Sequence, residues 1–125
     1  MRAQRTTDTG PELAVRAALR RAGVGYRLHR SIRPTGGGRP IRPDVVLVGA
    51  RTAVFVDGCW WHGCPLHAKA PGSNTSWWAQ KLAANAERDE RQTTLLQDDG
   101  WTVIRVWEHD DPDAVAVLVK AARDA

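Results

Sequence analysis

The chain has 125 residues, enough for one compact domain, and its hydrophobic and charged fractions, 42% and 26%, are those of an ordinary globular protein. Those values exclude a disordered chain, a collagen-like repeat and a long coiled coil. No apolar run approaches the ~20 residues that span a bilayer, and no signal-peptide core follows the start, so a cytoplasmic, membrane-free setting is expected.

Net charge is +4 but lopsided: residues 1–43 hold ten arginines against Asp8 and Glu12, whereas residues 44–125 hold eight basic and twelve acidic side chains. The planar fork of arginine fits phosphate and base edges, so a flank of this kind points to nucleic acid. A merely solvated arginine-rich surface accounts for the charge equally well.

Residues 1–8 show no hydrophobic period and read as a basic arm that carries Arg2 and Arg5. Thr9-Gly-Pro-Glu12 opens a helix through about Arg21, with proline in the first turn and Gly23 as the stop. Tyr26–His29 reads as a short strand, and Pro34–Pro43, rich in Gly and Pro, as a flexible loop. Asp44–Val48 and Thr52–Val56 are apolar and β-branched on either side of a turn, the pattern of a hairpin buried on both faces. After a Cys-, His- and Gly-rich loop over 59–76, a helix runs from about Trp77 to Gln97. Trp101–Trp107 is a further central strand, and Asp111-Pro112 caps a closing helix. The order α-β-β-β-α-β-α implies a single α/β domain over 1–125, with a mixed central sheet flanked by helices.

Several residues carry chemistry. Asp44, at the mouth of the first buried strand, fits a Mg²⁺ ligand, because Mg²⁺ takes few protein oxygens and keeps water; a turn-forming Asp after proline is the alternative. Glu12 borders the same sheet, although Thr9-x-x-Glu12 also fits a capping box. Cys59, Cys64 and His67 are spaced to wrap one Zn²⁺, with His109 preferred as fourth ligand. Free buried cysteines or a Cys59–Cys64 disulfide are the alternatives, the disulfide being disfavoured in a reducing compartment. His62 is then free to act as general base; in the converse assignment it completes the zinc site. On the long helix, positions 78, 82, 85, 89, 93 and 96 share one face, so Trp78, Leu82 and Leu96 belong to a core that Asn85 and Asp89 interrupt. Such inward polar groups need partners; for Asp89 the alternative is an ion pair with Arg88 or Arg91 on a wet face.

The aromatic content is unusual. Tyr26 and Phe55 are single, yet there are six tryptophans, four of them in the adjacent pairs Trp60-Trp61 and Trp77-Trp78. Neighbours along a strand or helix point in different directions, so packing alone does not call for such pairs.

These segments together resemble the very short patch repair (Vsr) DNA mismatch endonucleases. The resemblance rests on Gly38-Arg-Pro…Arg42-Pro-Asp44, on Asp57-Gly-Cys-Trp-Trp-His62-Gly-Cys64…His67, on Asn85-Ala-Glu-Arg-Asp89 and on Gly100-Trp…Trp107-Glu-His109, in order along nearly the whole chain. It implies a restriction-endonuclease-like fold with a structural zinc site, which nicks one strand 5′ to the thymine of T:G mismatches left by deaminated 5-methylcytosine. By the same resemblance, Asp44 and the Val56 carbonyl hold Mg²⁺, and His62 is the base that Glu12 and Asp89 support. Zn²⁺ is bound by Cys59, Cys64, His67 and His109. Trp60, Trp61 and Trp78 are wedges pushed into the duplex, kept on the surface for that purpose, while Trp101 and Trp107 pack; the role of Trp77 is open. Arg2, Arg5, Arg39, Arg42 and Asn85 complete the expected DNA contacts. The partners implied are mismatched duplex DNA and a mismatch-repair protein or sliding clamp, with the bacterial enzyme itself a monomer.

The sequence departs from the family pattern in Trp60, where Phe is common, and in the longer, arginine-rich approach to Asp44. The rival readings are a nuclease of the same fold with another modified or unmismatched target, and a zinc-stabilised DNA-binding module without catalysis.

Overall fold

The computed structural model describes residues 10–58 and 75–125. Its elements are α1 (Gly10–Arg21), β1 (Val45–Leu47), β2 (Thr52–Asp57), α2 (Thr75–Asp98), β3 (Thr102–Trp107) and α3 (Pro112–Asp124). β1 and β2 form the expected antiparallel hairpin, with Val45 opposite Val54 and Leu47 opposite Thr52. β3 lies parallel to β2 from Thr52↔Thr102 to Asp57↔Trp107. A parallel neighbour cannot be reached by a tight turn, and α2 lies within the crossover. The three strands stand in the order β1-β2-β3 in one mixed sheet.

The sheet is covered on both faces, which is why β1 and β2 read as continuous apolar runs. On one face Val45, Leu47, Val54, Ile104 and Val106 pack with Val15, Ala18 and Leu19 of α1 and with Val115 and Val119 of α3. On the other, Ala53 and Phe55 pack with Ile41 and with Leu96 of α2. Each fully buried Leu or Val contributes about 1.5–3 kcal/mol by leaving water.

Local chemistry sets the helix ends. Asp111 caps α3 by accepting from the Ala114 N–H at 3.3 Å, with Pro112 in the first turn. At the end of α2, Gly100 takes φ +87°, and its N–H and that of Trp101 donate to the Gln97 and Leu96 carbonyls, both at 3.0 Å. That reversal requires a left-handed residue, the usual role of glycine after a helix. No helix among the described residues is long and apolar enough to cross a membrane.

One expectation is corrected. Tyr26–His29 is not a strand: only Arg27 pairs with Val46, through hydrogen bonds of 2.7 and 3.0 Å, and His29 turns the chain away at φ +56°. The segment 34–43 is the expected loop, and Ile32 and Ile41 exchange hydrogen bonds of 2.7 and 2.8 Å across its base. The buried Ile41 side chain anchors it in the core.

Candidate active site

Acidic side chains gather where β1 begins and β2 ends. Asp44 immediately precedes β1, and its Oδ2 accepts from the Val56 N–H at 2.6 Å. Glu12, in the first turn of α1, is 5% exposed and hydrogen-bonds the Asp44 carboxyl. Asp57, the last residue of β2, adds its field to the same group. Burial, helped by the Glu12 and Asp57 carboxylates, pushes the Asp44 carboxyl up to about 7 against the opposing pull of the Val56 N–H.

Two arginines flank this acid cluster. The Arg16 Nη2 lies 3.5 Å from the Glu12 Oε2, one helical turn along α1, with both side chains over nine-tenths buried. From the middle of β3, Arg105 reaches Asp57 at 3.2 Å and Asp89 Oδ1 at 3.8 Å. It also donates to the Asp89 carbonyl at 3.2 Å and to Thr93 Oγ1 at 2.8 Å, and lies 4.1 Å over the Phe55 ring. One guanidinium therefore ties the C-terminal end of β2 to the middle of α2. Asp89 adopts both arrangements open from its sequence, facing inward to Arg105 while its Oδ1 lies 3.4 Å from Arg88.

The alternation of β2 also orients the Val56 carbonyl. Thr102 and Glu108 of the β3 side donate to the carbonyls of Arg51 and Asp57, so odd-numbered residues face β3. Val54 and Val56 face the opposite edge, where Asp44 donates to the Val54 carbonyl. Pro43 has no N–H with which to continue the ladder there. The Val56 carbonyl is thus directed to the edge that carries the Asp44 carboxylate.

This donor set fits a hard divalent cation. Among the described residues no three His, Cys, Asp or Glu side chains converge tightly enough to cage an ion by themselves. Mg²⁺ does not require a cage, since one or two carboxylates, a carbonyl and waters suffice. A carboxylate that is buried and held near other acids is also one whose ionised form gains most from a cation.

The remaining expectations divide. Asn85 is buried on the inner face of α2, as its helical position required. Arg39 and Arg42 are exposed. His109 follows β3 on a turn, its ring stacked on Trp107 with centroids 6.5 Å apart and its Nε2 3.9 Å from Asp110. Trp101 and Trp107 are partly buried; Trp101 packs beside the Phe55 cluster under the Arg51 guanidinium at 4.9 Å. Arg2, Arg5, Cys59, Trp60, Trp61, His62, Cys64 and His67 lie outside the described residues, as does Thr9 of the expected capping box.

Trp78 is the clear correction. It was expected on the surface as a wedge, but it is 2% exposed, whereas Trp77 is 53% exposed. The helical period explains this: position 78 shares the inward face with 85 and 96, and one residue turns the chain about 100° to the solvent side.

Three residues of the cluster, Arg16, Asp57 and Arg105, carried no expected role. Their signals were present in the sequence: Arg16 lies four residues after Glu12, and Arg105 is a lone charge within the apolar run Thr102–Trp107. What they contact is a matter of tertiary structure.

A family model described as DNA mismatch endonuclease Vsr matches residues 1–67. The chain is 44% identical over 120 residues to the type II nicking enzyme V.NaeI of Lentzea aerocolonigenes, covering 95% of this chain and 72% of that protein. It is 38% identical over 110 residues to the type II nicking enzyme V.XorIIP of Xanthomonas oryzae pv. oryzae, covering 86% and 76%. To the DNA mismatch endonuclease Vsr of Escherichia coli it is 37% identical over 110 residues, covering 86% and 66%.

Proposed function

Because the chain belongs to the Vsr family of DNA mismatch endonucleases, we propose that this DNA-nicking enzyme cuts one strand 5′ to the thymine of a T:G mismatch, with Mg²⁺ at Asp44 and His62 as general base. The observation that carries the reading is the cluster of Asp44, Glu12 and Asp57 around the Val56 main chain. Mg²⁺ would be held by Asp44 and the Val56 carbonyl, and when bound it stabilises the negative charge that builds on the phosphate in the transition state.

The protein's own groups do the rest. Glu12 and the Val56 N–H orient the Asp44 carboxylate. His62 withdraws a proton from the attacking water, a step suited to an imidazole near neutral pH. Arg105 fixes Asp57 and Asp89, so that Asp89 is available to support the base from a defined position. Attack on phosphorus expels the 3′-oxygen and leaves a 5′-phosphate on the downstream strand. Trp60 and Trp61 act as the wedge, which costs least where pairing is already defective; Trp77 is the tryptophan that α2 exposes.

Zn²⁺ has the structural role, on Cys59, Cys64, His67 and His109. In support, Cys59 follows Asp57 by two residues as His109 follows Trp107, and Asp57 and Trp107 are paired across the sheet. Two thiolates and two imidazoles suit tetrahedral Zn²⁺. The purified protein should therefore contain about one Zn²⁺ per chain by elemental analysis, and His109→Ala should lower that stoichiometry. Full zinc in His109→Ala with loss in His62→Ala would reverse the division of the two histidines.

The function itself is tested with end-labelled duplexes of one sequence carrying T:G, T:A or a methylated C:G pair, each with Mg²⁺ or EDTA. Nicking of the T:G duplex alone, and only with Mg²⁺, is the expected result. Equal nicking of T:A would favour the rival nuclease with another target. Binding without any nicking would favour the non-catalytic module.

A further inference from the structure

The segment from Arg30 to Arg42 is a loop held at two places, and so forms an arm. Its base is clasped by the two Ile32–Ile41 hydrogen bonds. Its far side is docked on the C-terminal end of α2: the Thr35 N–H donates to Asp99 Oδ2 at 2.9 Å, and the Thr35 hydroxyl donates to Asp99 Oδ1. These bonds hold the Asp99 carboxyl below the usual carboxylate range. Gly36 sits so close to Leu95 that a Cβ there would meet its Cδ2 at 2.9 Å. Gly37 and Gly38 then reverse the chain at φ +95° and +94°, a conformation that glycine adopts without strain.

The arm presents Arg30, Arg33, Arg39 and Arg42, all exposed. No acidic residue occurs between Glu12 and Asp44, and among the described residues none of these four guanidinium groups makes an ion pair. Four uncompensated cations on a docked support, beginning two residues from Asp44, form a surface for a polyanion. Because the arm is fixed at both ends, little ordering entropy would be lost on binding. Arg42, two residues before Asp44, places one end of this basic surface beside the acid cluster, and Thr35, bonded to Asp99, places its far side just past the end of α2.

We propose that the Arg30–Arg42 arm is a preformed phosphate clamp that grips the DNA backbone flanking the nicked bond, independently of the mismatch. The proposal rests on the endonuclease reading and adds to it a second contact surface with its own position. Phosphate contacts contribute affinity and register but do not read bases.

The test is equilibrium binding of the full chain to fluorescent T:G and T:A duplexes in EDTA, as a function of salt. Arg33→Ala/Arg39→Ala should weaken binding to both duplexes by a similar factor and reduce the slope of log K against log salt by about 2. Methylphosphonate groups placed one at a time along the backbone flanking the nick position should weaken wild type at the clamped phosphates but not that variant. Asp99→Ala gives an independent arm: removing a negative charge by itself would tighten binding, whereas undocking the clamp weakens it. An unchanged slope in the double variant, a loss confined to T:G, or tighter binding by Asp99→Ala would each overturn the clamp. Wild type that binds neither duplex would overturn the endonuclease reading instead.

Discussion

Asp44→Asn is expected to abolish nicking, by about a thousandfold or more, while making the metal-free protein more stable at pH 8. The two effects share one cause. Burial holds the Asp44 carboxyl at about 7 in the folded chain, against 3.8 for an ordinary Asp side chain. Between those two values the folded state holds a proton that the unfolded state has released. Stability therefore falls as pH rises from about 4 to about 7 and is flat above. At about 1.4 kcal/mol per pH unit across that window the ceiling is about 4 kcal/mol, and partial solvation of the group brings the expectation to about 2–3 kcal/mol. Urea denaturation at pH 5 and pH 8, without divalent ions, measures it: wild type should lose this increment and Asp44→Asn should not. Added Mg²⁺ should restore stability to wild type at pH 8 and leave the Asn variant unmoved. An Asn variant that nicks at the wild-type rate would remove Asp44 from the reaction.

Arg105→Met should carry the second large effect, a destabilisation of about 2–4 kcal/mol together with a loss of nicking at saturating DNA. The guanidinium serves Asp57, Asp89 and Thr93 at once, and the side chains of Asp57 and Asp89 are only 14% and 15% exposed. Removing Arg105 takes its share of the compensation from two largely buried carboxylates, which costs more than the pair contributed when intact. Methionine fills the volume over Phe55 but supplies no donor. Arg105→Lys should recover part of the stability and little of the activity, because an ammonium cannot hold three acceptors in one plane. The network is only slightly open to water, so its contribution should change little between low and moderate salt. An Arg105→Met chain within 0.5 kcal/mol of wild type in urea would show that the network contributes nothing.

The elements were legible in the sequence to the extent that hydrophobic period and capping chemistry define them. β1, β2 and β3 announce themselves as apolar β-branched runs. Asp111-Pro112 and Gly100 mark helix boundaries through local bonds that any sequence with those residues can make. Tyr26–His29 failed for the complementary reason: its residues suit a strand, but pairing depends on a partner edge, and only Arg27 meets Val46. The loop over 34–43 was legible from its Gly and Pro content, but that content describes how the chain turns, not what holds it. Thr35 and Asp99 are 64 residues apart in sequence.

The site divides in the same way. Asp44, Glu12 and Asp89 could be singled out by residue type and place on an element. Trp78 could be assigned inward by the period of α2, and the structure upholds that periodicity over its expected surface role.

By itself the sequence determined the identity of the strands, the polarity of each helix face, and a motif set specific enough to indicate a family. Only the tertiary structure decided which carboxylates share one field, that Arg16 and Arg105 flank them, and that the arginine-rich approach is a docked arm. The physical reason is range. Propensity, capping and amphipathic period act over a few residues along the chain, whereas a charge responds to whatever folding brings within a few ångströms. Asp44 acquires its raised pKa first from burial and then from Glu12 on α1 and Asp57 at the end of β2, surroundings that no local pattern joins to it.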